Sequence, residues 1–172
     1  RTRGAEPRSP VRMGANAMAH EAQAVSGHYG RQHLGDLIRN GLSAVGKDEG
    51  HLTTDDLAPI DQFHTGGKAT TLQLASLAGF EPGSQVLDVG GGLGGPARVL
   101  AEIGGHRVTV LDLTPEFCDV GVWLTERAWL NDQVSFKLGD ALAMPYPDEN
   151  FDAAWTQHST MNIDDKETLY RE

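Results

Sequence analysis

A run of glycines after an acidic strand end is the part of this sequence best suited to chemistry. Residues 86–95 read VLDVGGGLGG, so that an apolar segment containing Asp88 leads directly into the glycines. Glycine lets the backbone approach a ligand that side chains would otherwise keep away. Residues 95–101, GPARVLA, then predict a helix with proline in its first turn, where the missing N–H costs little. A strand, a glycine turn and a helix in this order predict the opening of a nucleotide-binding βαβ unit.

The same glycines fit two cofactor-binding patterns. Residues 90–95 match the dinucleotide fingerprint G-x-G-x-x-G, and Asp112 lies near the distance expected of its ribose-binding acid. Residues 88–94 instead give D-x-G-x-G-x-G. A pyrophosphate at a helix N-terminus prefers neutral glycine and bare N–H groups. The carboxylate of Asp88 therefore favours a ligand that carries positive charge.

Three more apolar segments continue the alternation of strands and helices. These predicted strands are residues 107–112, 134–138 and 150–156. Between the first two, residues 114–130 predict a helix with Thr114 as N-cap and Pro115 at its first position. Four strands alternating with helices indicate a parallel sheet with helices on its faces.

The carboxyl ends of all four predicted strands carry polar side chains. Ligands bind at this edge of a parallel α/β sheet. The side chains concerned are Asp88, Asp112, Asp140 and His158. One acid at a strand end is commonly just solvated, so it is the recurrence on four strands that predicts a binding site.

Several segments together resemble the successive motifs of class I S-adenosylmethionine (SAM)-dependent methyltransferases. They are VLDVGGGLG at 86–94, DLT at 112–114, GDA at 139–141 and FDAAW at 151–155. Residues 144–152, MPYPDENFD, are similar to a segment of the branch with ubiquinone/menaquinone C-methyltransferases and sarcosine/dimethylglycine N-methyltransferases. The resemblance covers about residues 29–172. It implies an α/β, Rossmann-like, doubly wound parallel sheet: the N-terminal part of a seven-stranded methyltransferase fold with N-terminal lid helices.

This resemblance implies S-adenosyl-L-methionine as the cofactor and S-adenosylhomocysteine as its product. Asp112 would bind the ribose hydroxyls and Asp140 the adenine amino group. The glycine loop would pass the methionine end, while Gln157 and His158 would line the methyl-transfer cleft. The expected cofactor-binding residues are Tyr29, Asp88, Gly90, Gly91, Gly92, Gly94, Asp112, Leu113, Asp140, Ala141 and Gln157.

The resemblance also implies a sheet order of 3-2-1-4-5-7-6, whereas this chain ends in the helix predicted after strand four. Strand four is therefore expected at an exposed edge, through which copies could form a homo-oligomer or a swapped assembly. We expect the SAM-binding half of an incomplete methyltransferase, with negligible turnover by itself.

The chain is predicted to have three parts. Residues 1–19 are rich in arginine, lack the apolar stretch of a secretory signal, and are expected to be a disordered tail or upstream sequence. Residues 20–79 are predicted to form a helical lid region, and residues 80–172 the Rossmann-like core.

The lid region is predicted to contain helices separated by a loop. Two short helices are expected within residues 21–42, a loop at 57–67 and a helix at 68–79. The last helix is expected to turn Leu72, Ala75 and Leu77 inward. The expected lid contacts are Tyr29, Phe63 and His64.

Composition narrows the classes of partner. The net charge of −10 disfavours nucleic acid, whose phosphates need clustered lysine and arginine. The single cysteine, Cys118, suits a reducing compartment, and a cytoplasmic protein is expected. No apolar run approaches the length of a membrane span. The seven histidines show no zinc-ligand spacing, so no metal site is expected.

The predicted function is transfer of a methyl group from SAM to a small, uncharged or mildly cationic acceptor. His158 and then His64 are the candidate general bases. The alternative for His158 is that it hydrogen-bonds the following turn and only shapes the pocket. An NAD-dependent oxidoreductase is the alternative enzyme, disfavoured by Asp88 and Asp140. A non-catalytic SAM-binding fragment or assembly module is the alternative of a different class.

Overall fold

A computed structural model of the protein describes residues 34–47 and 50–172. The helices are α1 (Leu34–Ala44), α2 (Thr54–Asp61), α3 (Gly67–Ala78), α4 (Gly95–Gly104), α5 (Pro115–Arg127) and α6 (Lys166–Leu169). The strands are β1 (Gln85–Val89), β2 (Arg107–Asp112), β3 (Val134–Leu138) and β4 (Ala153–Trp155), and Thr160–Asn162 forms a 3₁₀ turn. Tyr29, the predicted tail and the first part of the predicted lid lie outside the described residues.

The four described strands form one sheet in the order β3-β2-β1-β4, and all three pairings are parallel. Asp88 in β1 lies opposite Val110 of β2 on one side and Trp155 of β4 on the other. The predicted α/β, Rossmann-like architecture is confirmed, and β4 is an edge strand of the described sheet, as expected.

The two central strands, β1 and β2, are largely buried on both faces of the sheet, as is usual for parallel strands. On one face, Val86, Val110 and Trp155 pack with Ala97 and Leu100 of α4. On the other face, Leu87, Val89 and Leu111 pack with Leu169 of α6 and with partly buried side chains from the loops after β3. Burial of one such side chain stabilises the fold by about 1.5–3 kcal/mol.

Helices α1 and α2 join the same compact unit through a second cluster. Ile38 and Leu42 of α1 and Leu57 of α2 pack against Leu93 and Leu124. Leu93 lies in the glycine loop and is fully buried. The helices before the sheet therefore support the loop directly.

The loop predicted at residues 57–67 is wrong in its first half, because α2 covers residues 54–61. A capping box starts this helix: the Asp56 N–H donates to the Thr53 hydroxyl at 3.1 Å, and the Thr53 N–H donates to the Asp56 carboxylate at 3.0 Å. A hydrogen bond from Lys47 holds the pKa of Asp56 well below its usual range. Pro59 lies inside the helix, where its missing N–H removes one helical hydrogen bond.

The orientation predicted for α3 is wrong at two leucines. Leu72 and Leu77 are 39% and 77% exposed, whereas Thr71 is fully buried. Ala75 packs against the sheet core, as expected. Thr71 turns inward because its hydroxyl group donates to the side-chain oxygen of Gln62 at 2.9 Å and lies 3.3 Å from that of Gln157.

Two predicted elements are shorter than expected. Helix α5 has Thr114 as N-cap and starts at Pro115, as predicted, but it ends at Arg127, and Trp129 beyond it adopts a φ of +57°. Strand β4 has three residues instead of seven, and the ring of Phe151 before it packs edge-on against Tyr146. Within the described residues, no helix is long and apolar enough to cross a membrane.

Candidate functional site

A cleft of about 470 Å³ opens at the carboxyl edge of the sheet. It lies between the glycine loop, the ends of β2, β3 and β4, and the segment after α2. The predicted site residues that line it are His64, Asp88, Gly90, Gly91, Gly92, Asp112, Leu113, Asp140, Ala141, Gln157 and His158. The structure thus brings together residues that are spread over about a hundred positions.

Gly94 is the one predicted residue of the described chain that does not line the cleft. It is buried behind the loop, with a φ of +78°, and it is the N-cap of α4. A Cβ at this position would lie 2.6 Å from the ring of Phe136. Gly94 therefore shapes the loop and the start of the helix instead of facing a ligand.

Gly90 is a position of the loop that has no room for a side chain. Its φ is +70°, and a Cβ added to it would lie 2.5 Å from the Cβ of Ser159. Its N–H donates to the carbonyl of Leu111 at 2.7 Å. A residue without a side chain is required here both by the backbone angle and by the space.

Asp112 connects the glycine loop to helix α5. One carboxylate oxygen accepts the N–H of Gly92 at 2.9 Å, and the other accepts the N–H of Thr114 at 2.9 Å. Each oxygen keeps a further lone pair for a ligand. Leu113 beside it is 68% exposed and offers an apolar surface at the rim of the cleft.

Asp88 is almost completely buried beneath the loop and has no hydrogen-bond partner among the described residues for its Oδ2 atom. Burial, and secondly the charge of Asp112, raise the pKa of Asp88 to about 7. A Cβ at Gly91 would lie 2.4 Å from the same Oδ2 atom. The glycine therefore leaves open the space that this carboxylate occupies.

Asp61 also lines the cleft, and the sequence pattern did not predict it. Its Oδ2 accepts a hydrogen bond from Arg98 at 2.7 Å, and both side chains are buried. Arg98 also donates to the Thr125 hydroxyl and the Leu93 carbonyl. Burial raises the pKa of Asp61, and Arg98 opposes that rise. The two residues lie 37 positions apart in different helices, so no local pattern could pair them.

The charges of the cleft are strongly one-sided. Its lining includes four carboxylates, those of Asp61, Asp88, Asp112 and Asp140, and no lysine or arginine among the described residues. Arg98, which does not line the cleft, forms an ion pair with Asp61 and neutralises its charge. Such a site favours a cation and disfavours a phosphate.

The two predicted bases face each other across one end of the cleft. The ring centroids of His64 and His158 lie 5.9 Å apart. Burial is the main cause of a lowered pKa at His64, and the neighbouring His158 adds to it. Gln157 donates from its side-chain nitrogen to Nδ1 of His64 at 3.0 Å. Phe63, the predicted lid contact beside His64, also lines the cleft and is 68% exposed.

A second depression of about 530 Å³ lies beside β4, lined by apolar side chains such as Leu87 and Leu169 and by polar ones such as Asp148 and Arg171. None of the predicted site residues lines it. Within the described part of the chain, no group of three or more histidine, cysteine or acidic side chains could hold a metal ion.

Comparison with known proteins gives the family. Residues 87–172 match the family described as "Methyltransferase domain". A sterol 24-C-methyltransferase of Gibberella zeae is 38% identical over 100 residues, which are 58% of this chain and 26% of that protein. The methyltransferase GfsG of Streptomyces halstedii is 34% identical over 117 residues, which are 68% of this chain and 42% of that one. The chain thus spans less than half the length of these curated relatives.

A solved structure has the same fold. It is a SAM-dependent methyltransferase from Geobacter sulfurreducens in complex with S-adenosyl-L-homocysteine. It is 26% identical to this chain, with a TM-score of 0.52, and the match covers 63% of this chain and 42% of that one.

Proposed function

The chain belongs to the methyltransferase-domain family, and on that premise we propose that it binds SAM in the cleft and transfers the methyl group to a small molecule. The observation that carries the proposal is Asp88. A buried carboxylate without a hydrogen-bond partner at Oδ2, under a glycine loop in an acid-lined cleft, suits a ligand with net positive charge. SAM has a sulfonium and an ammonium group against one carboxylate.

The residues that would hold SAM fall into three groups. Asp112 would accept hydrogen bonds from the ribose hydroxyls with the lone pairs left by Gly92 and Thr114. Asp140 would accept from the adenine amino group, and Leu113 and Ala141 would contact the ring. The glycine loop and Asp88 would receive the methionine end.

Bound SAM would supply a methyl group whose carbon an acceptor attacks in line while its bond to sulfur breaks, so that S-adenosylhomocysteine is the leaving group. The chain's own part is alignment, exclusion of water and, where the acceptor carries a proton, its removal. His158 is the candidate base, because its imidazole makes no hydrogen bond to the described residues and is exposed to the cleft. A base in that position typically contributes about 10²–10⁴-fold.

The acceptor class follows from the same charges. A phosphate or carboxylate on the acceptor would meet four acids and no cationic side chain in the described lining. We therefore assign the acceptor to uncharged or mildly cationic small molecules. The same argument disfavours NAD, whose pyrophosphate would lie beside the buried Asp88.

Calorimetry with SAM, S-adenosylhomocysteine and NAD tests the proposal. SAM and S-adenosylhomocysteine should bind and NAD should not. Asp112→Ala should weaken SAM binding by about 1–3 kcal/mol, through loss of hydrogen bonds to a charged group. Asp132→Ala, the same change on an exposed turn, is the control. Equal SAM affinity in wild type and Asp112→Ala would remove Asp112 as the ribose ligand, and binding of NAD alone would overturn the proposal.

Turnover separates an enzyme from a non-catalytic binding module. With an acceptor from a screen of amines and alcohols, His158→Ala should lower kcat more than it weakens SAM binding. A residue that only packs the pocket would loosen binding and leave kcat nearly intact. SAM binding without turnover on any acceptor would favour the binding module.

Two further proposals concern location and assembly. The unpaired, buried Cys118 supports a reducing, cytoplasmic compartment. Strand β4 pairs only with β1 among the described strands, and its other edge supports self-association. Sedimentation at several concentrations would test the second proposal, and a monomer throughout would refute it.

A further inference from the structure

His158 holds a backbone conformation that its side chain disfavours. Its φ is +59°, in the left-handed region that residues other than glycine rarely adopt. Such a residue keeps this conformation only where its surroundings impose it. Interactions of the residues on both sides of His158 must therefore hold it in this conformation.

Ser159 fixes the chain after His158. Its hydroxyl donates to the carbonyl of Val89 at 2.7 Å and lies 2.7 Å from the hydroxyl of Thr156. Its Cβ fills the space left by the missing side chain of Gly90. The loop after β4 is thus fastened to the end of β1, at the beginning of the glycine loop.

Gln157 fixes the chain before His158. Its amide nitrogen donates to Nδ1 of His64 at 3.0 Å, and its amide oxygen lies 3.3 Å from the Thr71 hydroxyl. Both partners belong to the segment and helix before the sheet. Gln157 therefore ties the loop after β4 to this earlier part of the fold.

The ring of His64 is engaged on both nitrogens. Nδ1 accepts from Gln157, so Nε2 carries the proton and donates to the side-chain oxygen of Gln62 at 2.8 Å. Thr71 lies 3.1 Å from the same Nε2. Only the neutral Nε2–H tautomer satisfies these partners. No ring nitrogen of His64 is left to accept a proton from an acceptor molecule.

We propose that Gln157 and Ser159 are positioning residues that hold His158 toward the cleft, and that His64 is a third positioning residue, fixed as the Nε2–H tautomer, rather than a second base. The inference rests on the proposed function, since the cleft is taken to be the methyl-transfer site. It assigns one base where the sequence offered two.

Nitrogen NMR of the whole ¹⁵N-labelled chain reads the tautomer of His64 directly. The wild type should show Nε2–H alone. Gln157→Glu replaces the amide donor by an acceptor, so Nδ1 of His64 should gain a proton, and its nitrogen signal should change from that of an acceptor nitrogen to that of an N–H. Gln73→Glu, the same change on the exposed side of α3, should leave the signal unchanged.

A wild-type Nδ1–H tautomer, or an Nδ1 that stays unprotonated in Gln157→Glu, would overturn the role of His64. If Gln157→Glu does not fold, Gln157→Met removes the donor while keeping a similar shape, and the signal of Nδ1 should then shift because its hydrogen bond is lost. An unchanged Nδ1 signal in Gln157→Met would equally overturn the role.

Backbone coupling constants and Cβ shifts test the role of Ser159. In Ser159→Ala, His158 should leave the left-handed region, while in Ser135→Ala, a hydroxyl deletion on the exposed part of β3, it should remain there. An unchanged φ of His158 in Ser159→Ala would overturn the positioning role.

Titration with SAM separates this inference from the proposed function. If SAM does not bind while the tautomer of His64 and the φ of His158 are as expected, the proposed function fails and the positioning roles stand. If SAM binds and the tautomer or the φ is not as expected, only the positioning roles fail.

Discussion

Asp88→Asn gives the most direct test of how the cleft handles charge. In the folded chain, burial and the neighbouring Asp112 raise the pKa of Asp88 from 3.8 to about 7. The folded state therefore holds a proton at pH values where the unfolded chain has released it. Stability from this group is fully present below pH 3.8 and is lost as the pH rises through about 7. Asparagine keeps the shape and does not titrate.

The magnitude follows from the size of the pKa difference. A rise of about three pH units, at 1.36 kcal/mol each, corresponds to about 4 kcal/mol over the whole range. About two of those units lie above pH 5, so wild type should lose about 3 kcal/mol between pH 5 and pH 8.5 that Asp88→Asn does not lose. The variant leaves amide donors buried without acceptors, which costs about 1–3 kcal/mol at every pH. The test is therefore how the difference in free energy of unfolding between wild type and variant changes with pH, and not the size of that difference at any one pH.

The assay is urea unfolding of wild type and variant at several pH values from 5 to 8.5, without ligand. Subtracting the two free energies of unfolding cancels the other titrating groups. Asp148→Asn, the same change of charge in an exposed loop, serves as the control. A difference between wild type and Asp88→Asn that stays constant across this range would refute the buried, uncompensated carboxylate on which the cation argument depends.

Three other changes test the framework of the site. Arg98→Met should destabilise the chain by about 3–5 kcal/mol in thermal or urea unfolding, because Asp61 is left as a buried charge without its partner. A loss of stability below about 1 kcal/mol would contradict the importance of this buried ion pair. Gly90→Ala should destabilise the fold by about 1–3 kcal/mol, because the added Cβ would clash with Ser159 and the φ at this position is positive. The same change should abolish SAM binding in calorimetry, and retained binding would show that the loop can move aside. Thr53→Ala should cost about 1 kcal/mol through loss of the capping box of α2, checked by unfolding, and an unchanged midpoint would argue that this cap is dispensable.

Local patterns were enough to predict much of the sheet. β2 (Arg107–Asp112) and β3 (Val134–Leu138) have the predicted bounds, and α5 has the predicted N-cap and first residue. These features depend on apolar runs, on glycine and on proline at a helix start, all of which act over a few residues. The placement of Asp88 and Asp112 at one edge followed as well, because parallel strands end on the same side of a sheet.

The sequence by itself therefore determined the family of fold and the cleft residues at the strand ends, namely Asp88, Asp112, Asp140 and the glycines at 90–92, because these are contiguous local signals. Only the tertiary structure decided that Arg98 neutralises Asp61, that Thr71 rather than its leucine neighbour turns inward, and that His64 is held on both nitrogens by Gln62 and Gln157. Buried polar groups take whichever partner the packing of distant segments brings within hydrogen-bonding distance. That choice minimises the free energy of desolvation over the whole fold, so no local pattern encodes it.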